Sequence, residues 1–444
     1  MRKRSEVEAL EAEEAMKEQE WQEKIAPIVY DPTEDDLRRV QMIRDFLEEE
    51  GIPYEEDTDI FGVFYVNDRT TQLRYVDSFF HRMDNEKRFG ESCKGIDHDY
   101  FVNISHDNYD KGVRTIWIFD FEMDQVNKTY EFEGETIEGY HRQWEVIKNT
   151  IRTACGKIRH RFYARDCEVK VVPAKELRGF LNTFCFYGYR SASVNLGLYL
   201  KKEKNGFPKG TLMFVYTFGS NFYGNKLHED DPNIEVIRAS TRIGCQVIGG
   251  ISKSIKYFCM NYPILFFDER PIDVNRIIFY VDASHNDSRG MVNSNSSFKF
   301  VSWDGCGFIN MFTDDYDCDG LVGTKGETFM RRPLFHKPIM KAIALGKIVS
   351  IANAGTIVFD MYAKDFIAGL EPKEQEYVEQ RRLDIVREYN EARQLEVDKK
   401  IARYMSARRN MAKRLRNAYL KPMRKRLKEA SRYAREKLIA SKRR

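Results

Sequence analysis

Three absences narrow the reading of this chain before any motif is considered. No run approaches the ~18 consecutive apolar residues that a membrane helix needs. The start, MRKRSEVEALEAEEAMKEQEWQEKI, has no apolar centre of the kind a secretion signal carries. Both absences point to a protein of a cytoplasm with no membrane partner. The eight cysteines, Cys93, Cys155, Cys167, Cys185, Cys245, Cys259, Cys306 and Cys318, form no C-x-x-C pair and no regular framework. That argues against a disulfide scaffold and for reduced, mostly buried thiols. A chain 42% hydrophobic and 13% aromatic is not wholly disordered. Its 444 residues suggest about three units at roughly 150 residues each.

Charge is scarce only on average. Residues 399–444 hold 19 Lys or Arg against two acids, Glu429 and Glu436, a net of +17; against the total of +3, the rest of the chain carries −14. A polycation joined to an acidic body suggests a polyanionic partner such as nucleic acid.

Residues 1–26 are Glu- and Ala-rich with helical periodicity and read as a charged helical extension. Asp31-Pro32-Thr33-Glu34 combines an N-cap acid, a proline at the first helical position and a capping-box glutamate, so a helix is expected to run to about Glu50. Gly51 and Pro53 stop it. Period-two or short apolar runs then predict strands near Ile60 to Val66, Leu73 to Val76 and Thr115 to Phe119. A polar stretch from Arg82 to Lys111 separates the last two, and a helix follows from about His141 to Cys155. From Tyr163 a second series predicts strands at Val169 to Val172, Asn195 to Leu200, Leu212 to Phe218, Ile234 to Ala239 and Ile277 to Asp282. Helices are expected at Ala174 to Thr183 and Ser252 to Asn261, and strands dominate onward to about Tyr362. Pro372 opens a long helical segment, with a break expected near Pro422. The fold class is α/β with mixed sheets, in four parts: residues 1–26, 27–160, 161–365 and 366–444.

Three ordered stretches carry a family resemblance. They are Gly112 to Glu122 (GVRTIWIFDFE), Ile147 to Val172 (IKNTIRTACGKIRHRFYARDCEVKVV), and, across 177–290, the segments LRGFLNTFCFYGYRSASVNLGLYLK, TLMFVYTFG, EVIRASTRIGCQVIGGISKSIKYF and IIFYVDASHNDSRG. Together they resemble the phage and mobile-element homing endonucleases related to very-short-patch-repair (Vsr-like) nucleases. The resemblance implies a restriction-endonuclease-type domain, a mixed-sheet domain of the acetyltransferase (GNAT) type, and then the basic tail. It implies a phage-encoded protein of the host cytoplasm or virion that hydrolyses DNA phosphodiesters with Mg²⁺ or Mn²⁺.

Such chemistry uses carboxylates from different strands to hold the metal, with a histidine relaying protons. Matched to the family pattern, the candidates are Glu34, Asp59, Asp77 and His81 for catalysis and Asp59, Asp77 and Asp120 for the metal, with Glu122 beside them. The Leu73-to-His81 segment is two residues shorter than the family's and lacks its glycine, and Phe101 and Ile104 stand where the family has His and Lys. His98 and His106 lie nearby. Each candidate also has a plainer role: Glu34 as a cap, Asp59 and Asp77 as strand ends, His81 as a packed core histidine. The pattern therefore leaves a second reading open, a DNA-binding or virion-associated protein that kept the scaffold and lost cleavage.

In the second part, Gly249, Gly250, Ser252 and Lys253 sit between a strand-like run and a helix, where glycines, amides and a lysine are able to hold a phosphate. An acyl-CoA transferase would need a coenzyme-sized cleft beside these glycines; the spacing is not that of a Walker A loop. Asp315 to Gly320 matches the first half of a calcium loop, but Gly326 stands where the bidentate glutamate belongs, so a solvated acidic loop is expected. In the tail, Arg408, Arg409, Lys413, Arg414, Arg416, Arg424, Lys425 and Arg426 form a basic helical surface suited to DNA phosphates. The terminal helices at both ends are also candidate protein-partner surfaces.

Overall fold

The computed structural model describes residues 31–90, 93–124, 129–132, 135–138, 143–220, 233–267, 270–286, 297–305, 307–318, 320–329 and 337–442. The charged N-terminal extension, Ser288-Arg289-Gly290 and the last two arginines lie outside them. The protein is mixed α/β, with several sheets and a long C-terminal helix. Residues up to Glu371, apart from Phe266–Pro271, form one compact unit, and Phe266–Pro271 with Pro372–Arg444 form a second. No break separates the two α/β parts near residue 160.

Helix α1 (Glu34–Glu49) begins at Thr33, not Asp31. The Thr33 hydroxyl accepts the Asp36 N–H at 3.2 Å while the Asp36 carboxylate accepts the Thr33 N–H at 2.8 Å. This closes a capping box on Asp36 and leaves Glu34 an exposed first-turn acid. A four-stranded sheet follows in the order β1 (Tyr54–Glu56), β2 (Val63–Val66), β3 (Thr71–Val76), β4 (Arg114–Phe119). The first three strands are antiparallel, and β4 runs parallel to β3, with Val76 opposite Phe119.

The parallel crossover needs a covering element, and the stretch read as merely polar supplies it: a single turn, α2 (Glu86–Phe89), and then helix α3 (Tyr100–Asp110). Its buried Tyr100, Phe101 and Ile104 keep helical spacing, but Asn103, His106, Asp107 and Asn108 between and after them dilute the signal. After β4 come a short turn of helix, α4 (Asp120–Met123), a hairpin of β5 (Thr129–Phe132) and β6 (Glu135–Glu138), and α5 (Gln143–Ala154). Val40, Ile43 and Leu47 of α1, Phe64 and Leu73 of the sheet, and Ile147 and Ile151 of α5 make one core.

The second sheet grows from β7 (His160–Tyr163), β8 (Cys167–Val171), α6 (Ala174–Phe184), β9 (Val194–Leu200), β10 (Leu212–Ser220), β11 (Asn233–Thr241), β12 (Cys245–Ile248), α7 (Gly250–Asn261), the β13 (Ile264–Phe267) and β14 (Arg270–Asp273) hairpin, and β15 (Arg276–Asp282). Strands β16 (Lys299–Asp304), β17 (Phe308–Phe312), β18 (Tyr316–Cys318), β19 (Leu321–Gly323) and β20 (Thr328–Phe329), helix α8 (Lys337–Ala344), strands β21 (Ile348–Ala352) and β22 (Thr356–Tyr362) and helix α9 (Ala363–Ala368) complete the unit. Seven strands align as β16-β22-β15-β11-β10-β9-β8, and β11–β15 is the parallel pair among them. Of the acidic stretch, Tyr316–Cys318 forms β18 and pairs antiparallel with β19, so this part is a hairpin strand rather than an open loop, and Asp319 lies outside the described residues.

Several links fuse the two α/β parts. The Met83 N–H donates to the Ser350 carbonyl at 2.7 Å, and the Trp117 backbone N–H donates to the Ser284 carbonyl at 2.8 Å. The third link is electrostatic. His285 places Nε2 3.4 Å from Glu122, on α4, and Nδ1 3.4 Å from Asp282, at the end of β15, and all three are shielded from water. The Tyr187 hydroxyl also donates to Asp282. Burial by itself would lower the His285 pKa, but the two carboxylates more than offset it and raise it to about 10. The imidazolium's contribution is therefore fully present below about pH 6.5 and fades as pH climbs through 10.

The second unit holds α10 (Pro372–Leu415), one π-type turn at Arg416–Leu420, and α11 (Lys421–Lys442). Pro422 offers no N–H to the carbonyl four residues back, and the wider π turn absorbs the misfit, so the expected break is a single turn. Replacing His285 by glutamine leaves two buried acids without their cation. Chemical denaturation at pH 7 is expected to show a loss of about 3–5 kcal/mol, shrinking toward pH 10.

Candidate functional site

The ends of β3 and β4 gather carboxylates because the register brings Asp77 and Asp120 out side by side after Val76 and Phe119. The carboxyl ends of parallel strands are where α/β folds place ligands. Asp36 joins them from the first turn of α1: it is 1% exposed, and its Oδ1 accepts the Tyr75 hydroxyl at 2.7 Å. Arg39 approaches Asp36 at 3.9 Å while pairing with Asp124 at 2.8 Å.

Each carboxylate is partly engaged by the chain itself. Asp77 accepts the Phe80 N–H at 2.5 Å, closing the turn that leaves β3. Burial raises its pKa; the Phe80 hydrogen bond opposes this, and the charge of Asp36 adds to it. Asp120 accepts the Ser78 hydroxyl and the Phe121 N–H. Burial lifts its pKa to about 6, against the Ser78 hydrogen bond and with help from the charge of Asp77. Glu122, beside it, caps the Phe119 N–H at 2.9 Å.

The other predicted residues fall elsewhere. Asp59 lies on the exposed turn between β1 and β2, where its N–H is held by Asp57. Among the described residues, no group of three ligand atoms close enough for one ion includes Asp59, Asp77 or Asp120; the group that does form is the exposed Asp97-His98-Asp99. Asp59 sits on the exposed β1–β2 turn while Asp77 and Asp120 leave neighbouring parallel strands, and the three do not converge as one such group. His81 is 8% exposed and packs against Phe80, Tyr100 and Phe101. Burial lowers its pKa to about 4, and Nδ1 donates to the Asp77 carbonyl at 2.9 Å. It is a neutral core histidine at pH 7. Phe101 and Ile104 are core residues of α3, and His106 stacks on Trp303 at 4.2 Å.

The proposed phosphate loop is also used internally. Gly249 adopts φ +76 to start α7, and Lys253 Nζ donates to the Ala164 and Cys167 carbonyls at 2.8 and 2.5 Å. That lysine is a structural clamp on β7–β8, and Ser252 is exposed beside it. The larger opening lies in the seven-stranded sheet. The β10–β11 register slips between Thr217 and Phe218, and the bulge turns β11 away from β15 after Glu235. The gap is a cavity of about 680 Å³ whose walls include Tyr187, Arg238, Phe279, Asp282, His285 and Asn353, and neither Gly249 nor Gly250.

No family model matches the chain, and no curated protein matches it.

Asp36 was signalled by Thr33-x-x-Asp36, a capping box two residues after Asp31-x-x-Glu34. The Glu122–His285 contact had no local signal, since 163 residues separate the partners.

Asp120 favours the protonated form when folded, so its contribution to stability falls as pH rises from about 4 to 6. Asp120→Asn keeps the hydrogen-bond acceptor without the charge. Denaturation midpoints of the two proteins are expected to diverge in favour of the variant by up to about 3 kcal/mol between pH 4 and 7; a constant difference would contradict the assignment.

Proposed function

We propose that this chain is a DNA-binding relative of the phage-type homing endonucleases that grips the phosphate backbone through its C-terminal helices and uses the nuclease-type core as a scaffold. The observation that carries the reading is the exposure of the tail cations. Arg408, Arg409, Lys413, Arg414, Arg416, Arg424, Lys425 and Arg426 all face solvent. Among the described residues, Lys425 alone of these pairs with an acid, Glu429 at 4.0 Å. Unneutralised cations along a helix release counterions from DNA without reading its sequence.

The fold supports the scaffold part of the reading. A helix, three antiparallel strands and a parallel fourth are consistent with a restriction-endonuclease-type core, and a mixed seven-stranded sheet is what the acetyltransferase-like part of the resemblance calls for. The residues matched to the family's metal site argue against cutting, since Asp59 is exposed on a turn and His81 is packed in the core.

A second reading, metal-dependent DNA cleavage, is favoured by one observation: Asp77 and Asp120 emerge from neighbouring parallel strands, and the charge of the first raises the pKa of the second. Plasmid nicking with Mg²⁺ or Mn²⁺ that disappears in Asp77→Asn and Asp120→Asn would establish it. The DNA-binding reading expects no nicking by any of the three.

Fluorescence anisotropy with labelled duplex DNA tests the grip. The full chain is expected to lose affinity steeply with salt, and deletion of 399–444 to weaken binding by at least about tenfold and flatten the log–log salt slope by several units. An unchanged slope would remove the tail from the mechanism.

A further inference from the structure

Basic residues are not the only pattern on the C-terminal helices. Leu383, Val397, Ile401, Tyr404, Met411 and Leu415 fall within a narrow arc of α10 at the helical repeat of about 100° per residue, and all six are more than 40% exposed. Asn390, Arg393 and Arg408 occupy the same stripe. The next apolar residue on that line, Leu420, follows Leu415 by five positions, which an α-helix would rotate off the stripe. The π turn at Arg416–Leu420 takes more residues per turn and returns Leu420 to the line. Met423 and Leu427 then continue it along α11, also exposed. A stripe this narrow, kept in phase through a change of helix type, has the form of a coiled-coil seam.

Charge selects the partner and its direction. Residues 372–398 carry eight acids against five bases, a net of −3, whereas residues 399–444 carry +17. Two tails running parallel would lay +17 against +17. Two running antiparallel would lay each acidic half against the other copy's basic half, with Leu383 facing Leu427 and Met405 at the midpoint. We propose that α10 and α11 of two copies of this chain pair antiparallel along this stripe to form a dimer. This goes beyond the DNA-binding reading and is tested without DNA.

The full chain, nuclease-treated and free of nucleic acid, is measured by light scattering at micromolar concentration. A particle of twice 52.3 kDa is expected at low salt. Ile401→Ser with Leu415→Ser, both on an exposed helix, is expected to weaken the dimer at least about tenfold with unchanged helical circular dichroism. Direction is read by oxidation. Leu383→Cys mixed with Leu427→Cys is expected to give a cross-linked dimer above the background of the unsubstituted chain, and neither variant alone is expected to do so. A monomeric full chain, a dimer that the double serine variant leaves intact, or a Leu383→Cys chain that cross-links to itself would overturn the proposal.

Discussion

Glu122, His285 and Asp282 meet at the junction of two sheets almost without water, so the imidazole must stay charged to justify the two acids around it. The arrangement explains why the two α/β parts behave as one unit. Glu122 belongs to the turn that ends β4 of the first sheet, and Asp282 to the strand that flanks the gap in the second. Neither acid is well accommodated without the histidine, and the histidine is charged only because both are present. Tyr187 joins from just beyond the end of α6, so three separate segments share one electrostatic knot. Moving either sheet would expose or orphan a buried charge, a cost of several kcal/mol. The neighbouring cavity has this knot as part of its wall, which fixes one side of an opening otherwise framed by diverging strands.

Much of the fold was legible wherever a periodic signal was strong and local. The helix after Thr33, strands β3, β4, β9, β10, β11 and β15, and helices α5, α6 and α7 all lie within a few residues of where the apolar pattern puts them. The described cysteines are free, and most are buried. No helix among the described residues is long and apolar enough to cross a membrane. What escaped was structure whose apolar residues are diluted or whose partners are distant. Helix α3 hides three core residues among polar ones. The strand β1 is only three residues long and exists because β2 pairs with it. Contacts across residue 160, such as Met83 with Ser350 and Asn149 with Gly244, join residues far apart in the chain and leave no local signal.

The candidate site was less legible, for a different reason. A motif match assigns chemistry to residue types, but an acid at the end of a strand or the start of a helix has backbone N–H groups to satisfy first. Here Asp36, Asp77, Asp120 and Glu122 each accept such a hydrogen bond, and Lys253 spends its donors on two carbonyls. These side chains finish turns and caps. Their clustering at the ends of β3 and β4 still concentrates negative charge, seen in the raised proton affinity of Asp77 and Asp120.

The tail turns a helix into a ruler. Lys399 follows Pro372 by 27 residues, so about 40 Å of helix at 1.5 Å per residue separates the root of α10 from the first of its dense positive charge. Along the helix itself, that distance and the azimuth of the basic face are set by a count of residues. Each inserted or deleted residue would move the basic face by 1.5 Å and swing it by about 100°, so the spacer's length specifies direction as strictly as distance.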